Sequence, residues 1–335
     1  MRAIRVVGAS ELEVVELPTP EAGSDALVRV ARAGLCGTDV KVFKDQIPGP
    51  RPLVMGHEMV GTVVEPGDRG LVATGQRVLI DPAISCGFCE LCRKDRGHLC
   101  RNGGLLGRDI DGVFAELVVA PEEKLHVIPD SVSDDAASLL QVLGTCVHAQ
   151  RSVSVFPTDT VAVIGLGVSG LLHIQLLAAR GIKRLLGITR SQWKLDLARE
   201  LGAATTATAE EAQARLDELS GGLGANLVVE AAGVEETLSQ AISLAGLGGE
   251  VLVFGTITSG DKGLPYYDLY HKELTIYNPR AATPADYDAG VDLAASGRLR
   301  LEDLVTHTFG VEDAASAFEA VQDGSSLKVV IDFAV

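Results

Sequence analysis

Four cysteines that lie close together place the strongest constraint on how this chain of 335 residues folds. They follow the spacing C-x2-C-x2-C-x7-C and are Cys86, Cys89, Cys92 and Cys100. Four thiolates at such a spacing can close a tetrahedral cage around one zinc ion, and a closed cage leaves no position for a substrate. The segment 86–100 is therefore predicted to be a structural zinc lobe, and the chemistry has to be sought elsewhere.

Length and charge limit the class of protein. A chain of 335 residues exceeds the usual size of a single core, so two domains are expected. The formal net charge of −16 argues against a nucleic-acid partner and against binding to an anionic membrane surface. Residues 1–10 lack the apolar stretch of a secretory signal, and no apolar run is long enough to span a bilayer. We therefore expect a cytoplasmic protein whose cysteines bind metal rather than form disulfides.

The apolar pattern changes along the chain. Residues 1–80 contain short segments rich in Val, Leu and Ile, separated by Pro and Gly, which predicts an antiparallel, barrel-like β domain. A further strand is predicted at Gly112–Val119, after the cysteines. From a predicted helix at Asp134–Arg151 onward, strands and helices alternate, which is typical of a parallel, doubly wound sheet. The fold class is therefore predicted to be α/β.

A glycine-rich loop follows the apolar strand Thr160–Ile164 and opens a helical segment. Its residues are Gly165, Leu166, Gly167, Val168, Ser169 and Gly170. In a dinucleotide-binding loop the first glycine permits a tight turn, the second lets the backbone approach a pyrophosphate, and the third allows close packing of helix on strand. The alternative is a loop that only makes a turn.

The end of the next predicted strand indicates which dinucleotide is bound. NAD-binding chains have an acidic residue there, which binds the ribose hydroxyls. This chain has Thr189, Arg190 and Ser191 instead. A guanidinium and two hydroxyls suit a 2′-phosphate, so NADP(H) is favoured over NAD(H). Alternatively, Arg190 points to solvent and the chain does not distinguish the two cofactors.

A second metal site is indicated by Cys36, in Gly-Leu-Cys-Gly-Thr-Asp, and His57, in Met-Gly-His-Glu. Thiolate and imidazole are good zinc ligands, and a site with fewer than four protein ligands leaves room for a substrate. Either residue alone would more often be structural. Next to a cysteine lobe and a dinucleotide loop, the pair is a candidate catalytic site.

In this order and at these spacings, the motifs resemble the zinc-containing medium-chain alcohol dehydrogenase family, in particular its polyol, glucose and threonine dehydrogenase branch. The resemblance extends to the closing segment that begins at Lys328. It implies a GroES-like β-rich catalytic domain at 1–145 with the zinc lobe at 86–100, a Rossmann domain at 146–285, and a return segment at 286–335 that completes the catalytic domain.

The resemblance also implies a catalytic zinc held by Cys36 and His57. The third family ligand lies seven residues before a histidine, which points to Gln141 before His148. Family members place Cys, Asp or Glu there, and Gln brings no charge. Glu58 is therefore predicted to be a ligand in at least one state, with Gln141 weak or exchanging. In the alternative, Glu58 supports the site from outside the ligand set and Gln141 is a helix surface residue.

Proton transfer is expected to use the segment after Cys36. Thr38 matches the relay hydroxyl of the family, and Lys41 occupies the position where many members continue the relay with His. Either Lys41 acts in the relay or toward a substrate oxygen, or the proton leaves through ribose hydroxyls and water. Lys41 is then a solvated surface residue. Asp39 is expected to be a hydrogen-bond acceptor that supports the fold.

These expectations describe a zinc-dependent oxidoreductase that transfers a hydride between a secondary alcohol or a polyol or sugar hydroxyl and NADP(H). They include one catalytic and one structural zinc per chain, a small-molecule substrate and a homo-dimer or homo-tetramer. One alternative is a simple alcohol or L-threonine dehydrogenase. Another is a non-catalytic dinucleotide-sensing protein on the same fold, against which the intact set of Cys36, Thr38 and His57 argues.

Overall fold

The computed structural model describes residues 1–258, 260 and 263–334. The chain divides into two compact units. One comprises Met1–Gly144, Ala281–Gly297 and Leu301–Val335, and the other Thr145–Arg280 and Arg298–Arg300. The first unit is rich in β structure, and the second alternates strands with helices.

The strands are short in the first unit and regular in the second. They are β1 (Arg2–Gly8), β2 (Glu11–Glu16), β3 (Ala26–Leu35), β4 (Leu53–Val54), β5 (Glu58–Glu65), β6 (Arg77–Ile80), β7 (Ala83–Ile84), β8 (Gly104–Leu105), β9 (Leu117–Ala120), β10 (Leu125–Val127), β11 (Thr160–Ile164), β12 (Arg184–Ile188), β13 (Thr205–Ala207), β14 (Ala225–Glu230), β15 (Ala245–Val253), β16 (Thr275–Tyr277), β17 (Val305–Gly310) and β18 (Lys328–Asp332).

The α-helices are α1 (Gly37–Phe43), α2 (Asp134–Ala137), α3 (Leu140–Arg151), α4 (Val168–Ala179), α5 (Gln192–Glu200), α6 (Ala212–Ser220), α7 (Glu235–Leu244), α8 (Tyr266–His271), α9 (Pro284–Ala295) and α10 (Ala314–Gln322). Among the described residues, none of these helices has the length and apolar character that crossing a membrane requires.

The first unit is built on a seven-stranded sheet with the order β10-β6-β5-β3-β18-β17, in which β9 also pairs with β3. A three-stranded sheet, β2-β1-β4, and a two-stranded sheet, β7-β8, accompany it. The buried core is mostly aliphatic and includes Val28, Met55, Phe114 and Ile331. Because β18 pairs with both β3 and β17, it lies inside the same sheet as β3, the earliest strand of that sheet in sequence.

The second unit contains a six-stranded parallel sheet in the order β13-β12-β11-β14-β15-β16. Its strands β11, β12 and β14 are mostly buried and apolar, as expected of a parallel sheet covered by helices on both faces. The strand order reverses between β11 and β14. In sheets of this kind, ligands bind beyond the carboxyl ends of the strands at this point of reversal.

The α/β fold class predicted from the sequence is confirmed, with a β-rich domain and a Rossmann-type domain. Two predicted elements were wrong in detail. The helix expected over Asp134–Arg151 is two helices, α2 and α3, because the first turn ends at its cap residue Ser138. The strand expected over Gly112–Val119 forms only from Leu117, since the amides of 112–114 bond the 54–56 backbone instead.

Candidate active site and metal centres

The cysteine that was predicted to bind a catalytic metal lies at the start of α1. Cys36 is the N-cap residue, and its side chain accepts a hydrogen bond from the backbone amide of Asp39. The backbone amide of Cys36 in turn donates to Asp39 Oδ2 at 2.8 Å. This reciprocal pair is a capping box, and it fixes the sulfur at the partially positive end of the helix.

His57 lies directly before β5 and is oriented by the same carboxylate. Its Nδ1 is 3.3 Å from Asp39 Oδ1, and its Nε2 is 4.0 Å from Glu58 Oε1. Burial on its own would lower the pKa of His57, but the Asp39 carboxylate and Cys36 outweigh it, so the pKa is raised well above the usual range. A carboxylate on Nδ1 leaves Nε2 as the nitrogen that is directed to a metal.

Cys36, His57 and Glu58 lie together. Each offers one ligand atom, and these atoms all lie within 4.8 Å of one another. Zinc binds sulfur, nitrogen and oxygen ligands at about 2.0–2.3 Å, so one zinc ion fits between atoms at this spacing. The structure therefore brings together three of the four residues that the sequence suggested as ligands.

Glu58 has a second partner that sequence reasoning missed. Its Oε2 forms an ion pair with Lys328 Nζ, and Lys328 also donates to the backbone oxygen of Leu35 at 3.2 Å. Both side chains of the ion pair are buried. The available signal was a lysine at the start of an apolar strand, since a buried lysine requires a charged or polar partner.

The charges of this pocket suit a divalent cation. With a metal bound, His57 is neutral and Cys36 is a thiolate, so Asp39, Glu58 and Cys36 carry three negative charges against one positive charge on Lys328. Buried charge is costly unless it is compensated, and a zinc ion brings the sum to zero. Asp39 thus supplies negative charge that the sequence argument for Glu58 as a ligand did not include.

Gln141 is the second residue of α3 and is only 8% exposed, so the alternative that it is a helix surface residue is wrong. The Nε2 of Gln141 donates a hydrogen bond to the hydroxyl oxygen of Tyr287, at 3.4 Å. Its coordination of a metal stays a prediction.

The two predicted proton-transfer residues lie on α1, Thr38 in its first turn and Lys41 in its last. Both are partly buried, so Lys41 is not a fully solvated side chain. Their contact with a substrate stays a prediction.

The four cysteines of the lobe also come together. Their sulfurs are separated by 3.4 Å (Cys86 to Cys100), 3.5 Å (Cys89 to Cys92), 3.8 Å (Cys89 to Cys100) and 3.9 Å (Cys86 to Cys92). A tetrahedron with zinc–sulfur bonds of about 2.3 Å has edges of about 3.8 Å, so the set fits a zinc ion.

The ionisation of the lobe is consistent with that fit. Backbone amides of Cys92 and Arg101 lower the pKa of Cys89 to about 6, whereas burial and the neighbouring thiols raise that of Cys92 to about 11. Thiolates this close repel one another, so ionising all four together requires a cation among them.

The glycine loop has the shape that a dinucleotide needs. Gly165 has φ = +89°, and a Cβ at Gly170 would lie 1.9 Å from the backbone oxygen of Gly165, so both positions require glycine. A Cβ at Gly167 would meet no atom within 4 Å, which leaves open space at the start of α4. Within the described part of the chain, no side chain caps α4, so its first amides are available to a pyrophosphate.

The other loop residues have structural positions. Leu166 is buried, and Val168 is the first residue of α4. Ser169 is partly buried, and its backbone oxygen lies 3.9 Å from the sulfur of Cys146.

Thr189, Arg190 and Ser191 follow β12 directly, and Ser191 is the N-cap residue of α5. Arg190 is exposed, and the first turn of α5 carries no acidic residue. Sequence reasoning missed Lys194, whose ammonium lies 5.1 Å from the ring centroid of Trp193 and whose pKa is lowered by burial. Lys194 follows Arg190 by four positions and adds a second basic residue to this segment.

A glycine loop on a doubly wound sheet and a Cys–His–Glu cluster on a β-rich unit indicate the class of the oxidoreductases. Comparison with known proteins identifies the family. A model described as "Alcohol dehydrogenase GroES-like domain" matches residues 22–130, and one described as "Zinc-binding dehydrogenase" matches residues 169–296.

Relatives match over nearly the whole chain. D-arabitol-phosphate dehydrogenase from Enterococcus avium is 30% identical, with 97% of this chain and 95% of the relative covered. L-threonine 3-dehydrogenase from Anaeromyxobacter dehalogenans is 31% identical, with 96% and 94% covered. A zinc-binding dehydrogenase structure from Sinorhizobium meliloti 1021, bound to NADP, is 31% identical with a TM-score of 0.92, covering 99% of this chain and 98% of that one. The chain therefore belongs to the zinc-containing medium-chain alcohol dehydrogenase family, which confirms the resemblance found in the sequence.

Proposed function

We propose that this oxidoreductase is a zinc-dependent dehydrogenase that transfers a hydride between a secondary alcohol or a polyol or sugar hydroxyl and NADP(H). The observation that carries the proposal is the convergence of Cys36, His57 and Glu58 within 4.8 Å of one another, in a chain that also carries a dinucleotide loop. In this proposal the first unit is the catalytic domain, completed by the return segment, and the second unit binds the cofactor. The protein acts as a homo-dimer or homo-tetramer.

The chain's own residues have distinct roles. Cys36 and His57 hold the catalytic zinc, with Glu58 and Gln141 exchanging in the remaining position. When bound, zinc supplies a Lewis acid at the substrate oxygen and the nicotinamide supplies the hydride acceptor. Asp39 holds Cys36 and His57 in place through the contacts at 2.8 Å and 3.3 Å. These contacts orient the ligands before a substrate arrives.

Oxidation of an alcohol removes a hydride from carbon and a proton from oxygen. Thr38 is proposed to accept that proton at its hydroxyl and to pass its own proton onward. Lys41, five residues after Cys36 on the same helix, is the proposed next group, with ribose hydroxyls and water as the alternative route. The four cysteines of the lobe hold a structural zinc and take no part in the reaction.

The preference for NADP(H) is supported by the groups at the end of β12. Thr189, Arg190 and Ser191 stand where an acidic residue would repel a phosphate, and Lys194 adds a cation on the next turn. One solved relative was captured with NADP and another with NADH, so the proposed preference rests on the residues of this chain.

The cofactor preference can be measured without turnover, because Trp193 is the only tryptophan in the sequence and lies in the first turn of α5. Titrating its fluorescence with NADPH and with NADH should show tighter binding of NADPH. Arg190→Gln should weaken NADPH binding by about 10- to 100-fold, the usual loss of one charge-assisted hydrogen bond, and leave NADH unchanged.

Arg199→Gln, at the other end of the same helix, is the matched control and should bind both cofactors as the parent does. Equal affinities of the parent for NADPH and NADH, unchanged in Arg190→Gln, would show that Arg190 points to solvent and that the preference is absent.

The substrate class is supported by the buried polar ligands Glu58 and Gln141 and by relatives named as polyol-phosphate and threonine dehydrogenases. The decisive experiment is a panel of sugars, polyols, polyol phosphates, amino acids and simple alcohols, run with both cofactors. We expect fastest turnover with a polyol or sugar and NADP. Turnover of simple alcohols or L-threonine alone would select the alternative, and cofactor binding without any turnover would identify a sensor.

A further inference from the structure

Tyr287 is a buried tyrosine of α9 that none of the proposed steps uses. It is 1% exposed, and its hydroxyl accepts the hydrogen bond from Gln141 Nε2 at 3.4 Å. The two residues are 146 positions apart in sequence, so this contact is made by packing α9 against the start of α3.

Two features fix the position of the Tyr287 ring. A Cβ at Gly144, one turn after Gln141, would lie 2.5 Å from Tyr287 Cδ1, so the ring lies where a side chain of α3 would otherwise be. On another side, the ring of His126 is 5.3 Å away, and His126 Nδ1 is bound to Asp288 Oδ1 at 2.6 Å. The hydroxyl is therefore held at one place relative to Gln141.

The contact with Tyr287 affects which end of the Gln141 amide is available to a cation. A glutamine side chain has a donor end and an acceptor end, and only the carbonyl oxygen can bind a cation. A phenol is uncharged near neutral pH, and its oxygen can accept a hydrogen bond from an amide N–H. A neutral phenol oxygen that accepts from Nε2 turns Oε1 of the same amide away from the tyrosine.

We propose that Tyr287 is a positioning residue, which holds the Gln141 amide so that its oxygen is available to the metal at the Cys36–His57–Glu58 cluster. This inference rests on the proposed function, since it assigns a role toward the proposed catalytic zinc. Glu58 and Gln141 exchange as the third ligand, and the tyrosine determines how often Gln141 occupies that position. Without the hydroxyl, the amide rotates and the third position passes to Glu58.

The test uses Tyr287→Phe, which removes the hydroxyl and keeps the ring against Gly144. Zinc affinity is measured by competition with a chelator, and the site is examined by the visible absorption of the Co²⁺-substituted protein. We expect Tyr287→Phe to bind zinc about 10- to 100-fold more weakly, the usual effect of losing a group that orients a ligand, and to shift the Co²⁺ bands. Tyr270→Phe, at an exposed hydroxyl, is the matched control, and the four-cysteine lobe is the internal reference.

A second pair of variants separates positioning from packing. In a Gln141→Ala background, Tyr287→Phe should cause no further loss of zinc affinity, because the residue through which it acts is gone. An unchanged Co²⁺ spectrum and zinc affinity in Tyr287→Phe would overturn the proposal, and so would an equal loss in the Gln141→Ala background. If the parent protein binds no metal at the Cys36–His57–Glu58 cluster, the proposed function is overturned as well. If the parent binds zinc there and Tyr287→Phe does not change the zinc affinity, only this inference is overturned.

Discussion

The pairing of Glu58 with Lys328 shows how one buried residue can serve two partners. One carboxylate oxygen contacts the lysine, and the other lies 4.0 Å from His57 Nε2. A carboxylate arranged in this way can approach a metal with one oxygen and keep its counter-ion on the other. Glu58 can therefore bind zinc in one state and still pair with Lys328. Loss of that pairing would be costly, because the ammonium of Lys328 is buried.

We expect Glu58→Gln to lose zinc from the catalytic site while the cysteine lobe keeps its own, because the variant removes a negative charge beside the cation. Metal content after gel filtration measures this. Glu122→Gln, at another buried glutamate of the first unit, should retain both ions. Full retention of both metals by Glu58→Gln would contradict a ligand role for Glu58.

A second residue-level prediction concerns His173, which is buried in α4 and has its ring centroid 4.8 Å from that of Phe254. Burial lowers its pKa to about 3. The unfolded chain binds a proton at His173 below pH of about 6.5, and the folded chain does not until about pH 3. Between these values the residue therefore destabilises the fold as pH falls, by about 1.4 kcal/mol per pH unit.

Replacing it, as His173→Leu, should make the urea midpoint less dependent on pH between 6.5 and 4.5. His271→Leu, at an exposed histidine, should leave the pH dependence of the parent unchanged. Identical slopes in all three proteins would show that His173 does not titrate on unfolding.

At the scale of the element, the cysteine lobe is a segment with little regular structure. It contains two short 3₁₀ turns, at Cys92–Lys94 and Gly97–Leu99, and all four of its cysteines are only partly buried. With the structural zinc that we propose for the lobe, a segment with so little core would depend on that ion for a defined conformation.

Cys92→Ser should therefore lower the yield and the thermal midpoint of the protein, while the kcat of the folded fraction stays within about twofold of the parent, because the lobe contributes no reacting group. Circular dichroism melting and active-site titration of the soluble fraction measure the two effects. If Cys92→Ser folds normally and loses only its turnover, the structural and catalytic sites have been assigned the wrong way round.

The elements also show which features a sequence can predict. The zinc lobe and the glycine loop are each defined by residues a few positions apart, so the spacing in the sequence determines their geometry. The parts that were missed depend on distant partners: Lys328 pairs with Glu58 across 270 positions, and Tyr287 meets Gln141 across 146. The break between α2 and α3 was missed for a local reason, since Ser138 and Leu139 carry no strong helix-ending signal.

At the scale of the whole molecule, charge is the dominant property. The chain has 45 acidic and 29 basic residues, so folding concentrates a net charge of −16 into a compact volume. Like charges oppose compaction, and salt screens them over a distance of about 10 Å at 0.1 M.

We therefore expect the urea midpoint at pH 7.5 to rise when NaCl is increased from 10 to 300 mM, and the rise to become smaller at pH 5, where fewer carboxylates are ionised. Equal midpoints at both salt concentrations would show that local ion pairs, which salt weakens, balance the repulsion. The zinc content should be checked in each sample, because metal loss at pH 5 would also lower the midpoint.

The position of β18 has a consequence for how a cell makes this protein. Translation produces Cys36, His57 and Glu58 well before Lys328, yet β18 lies between β3 and β17 in the finished sheet. Domains generally fold as they leave the ribosome. We expect nascent chains arrested after Gln322 to hold a folded second unit and a zinc-loaded lobe, with a gap in the central sheet and Glu58 without its counter-ion. The Cys36–His57–Glu58 cluster therefore reaches its final arrangement only after β18 has been made, although its own three residues are made much earlier.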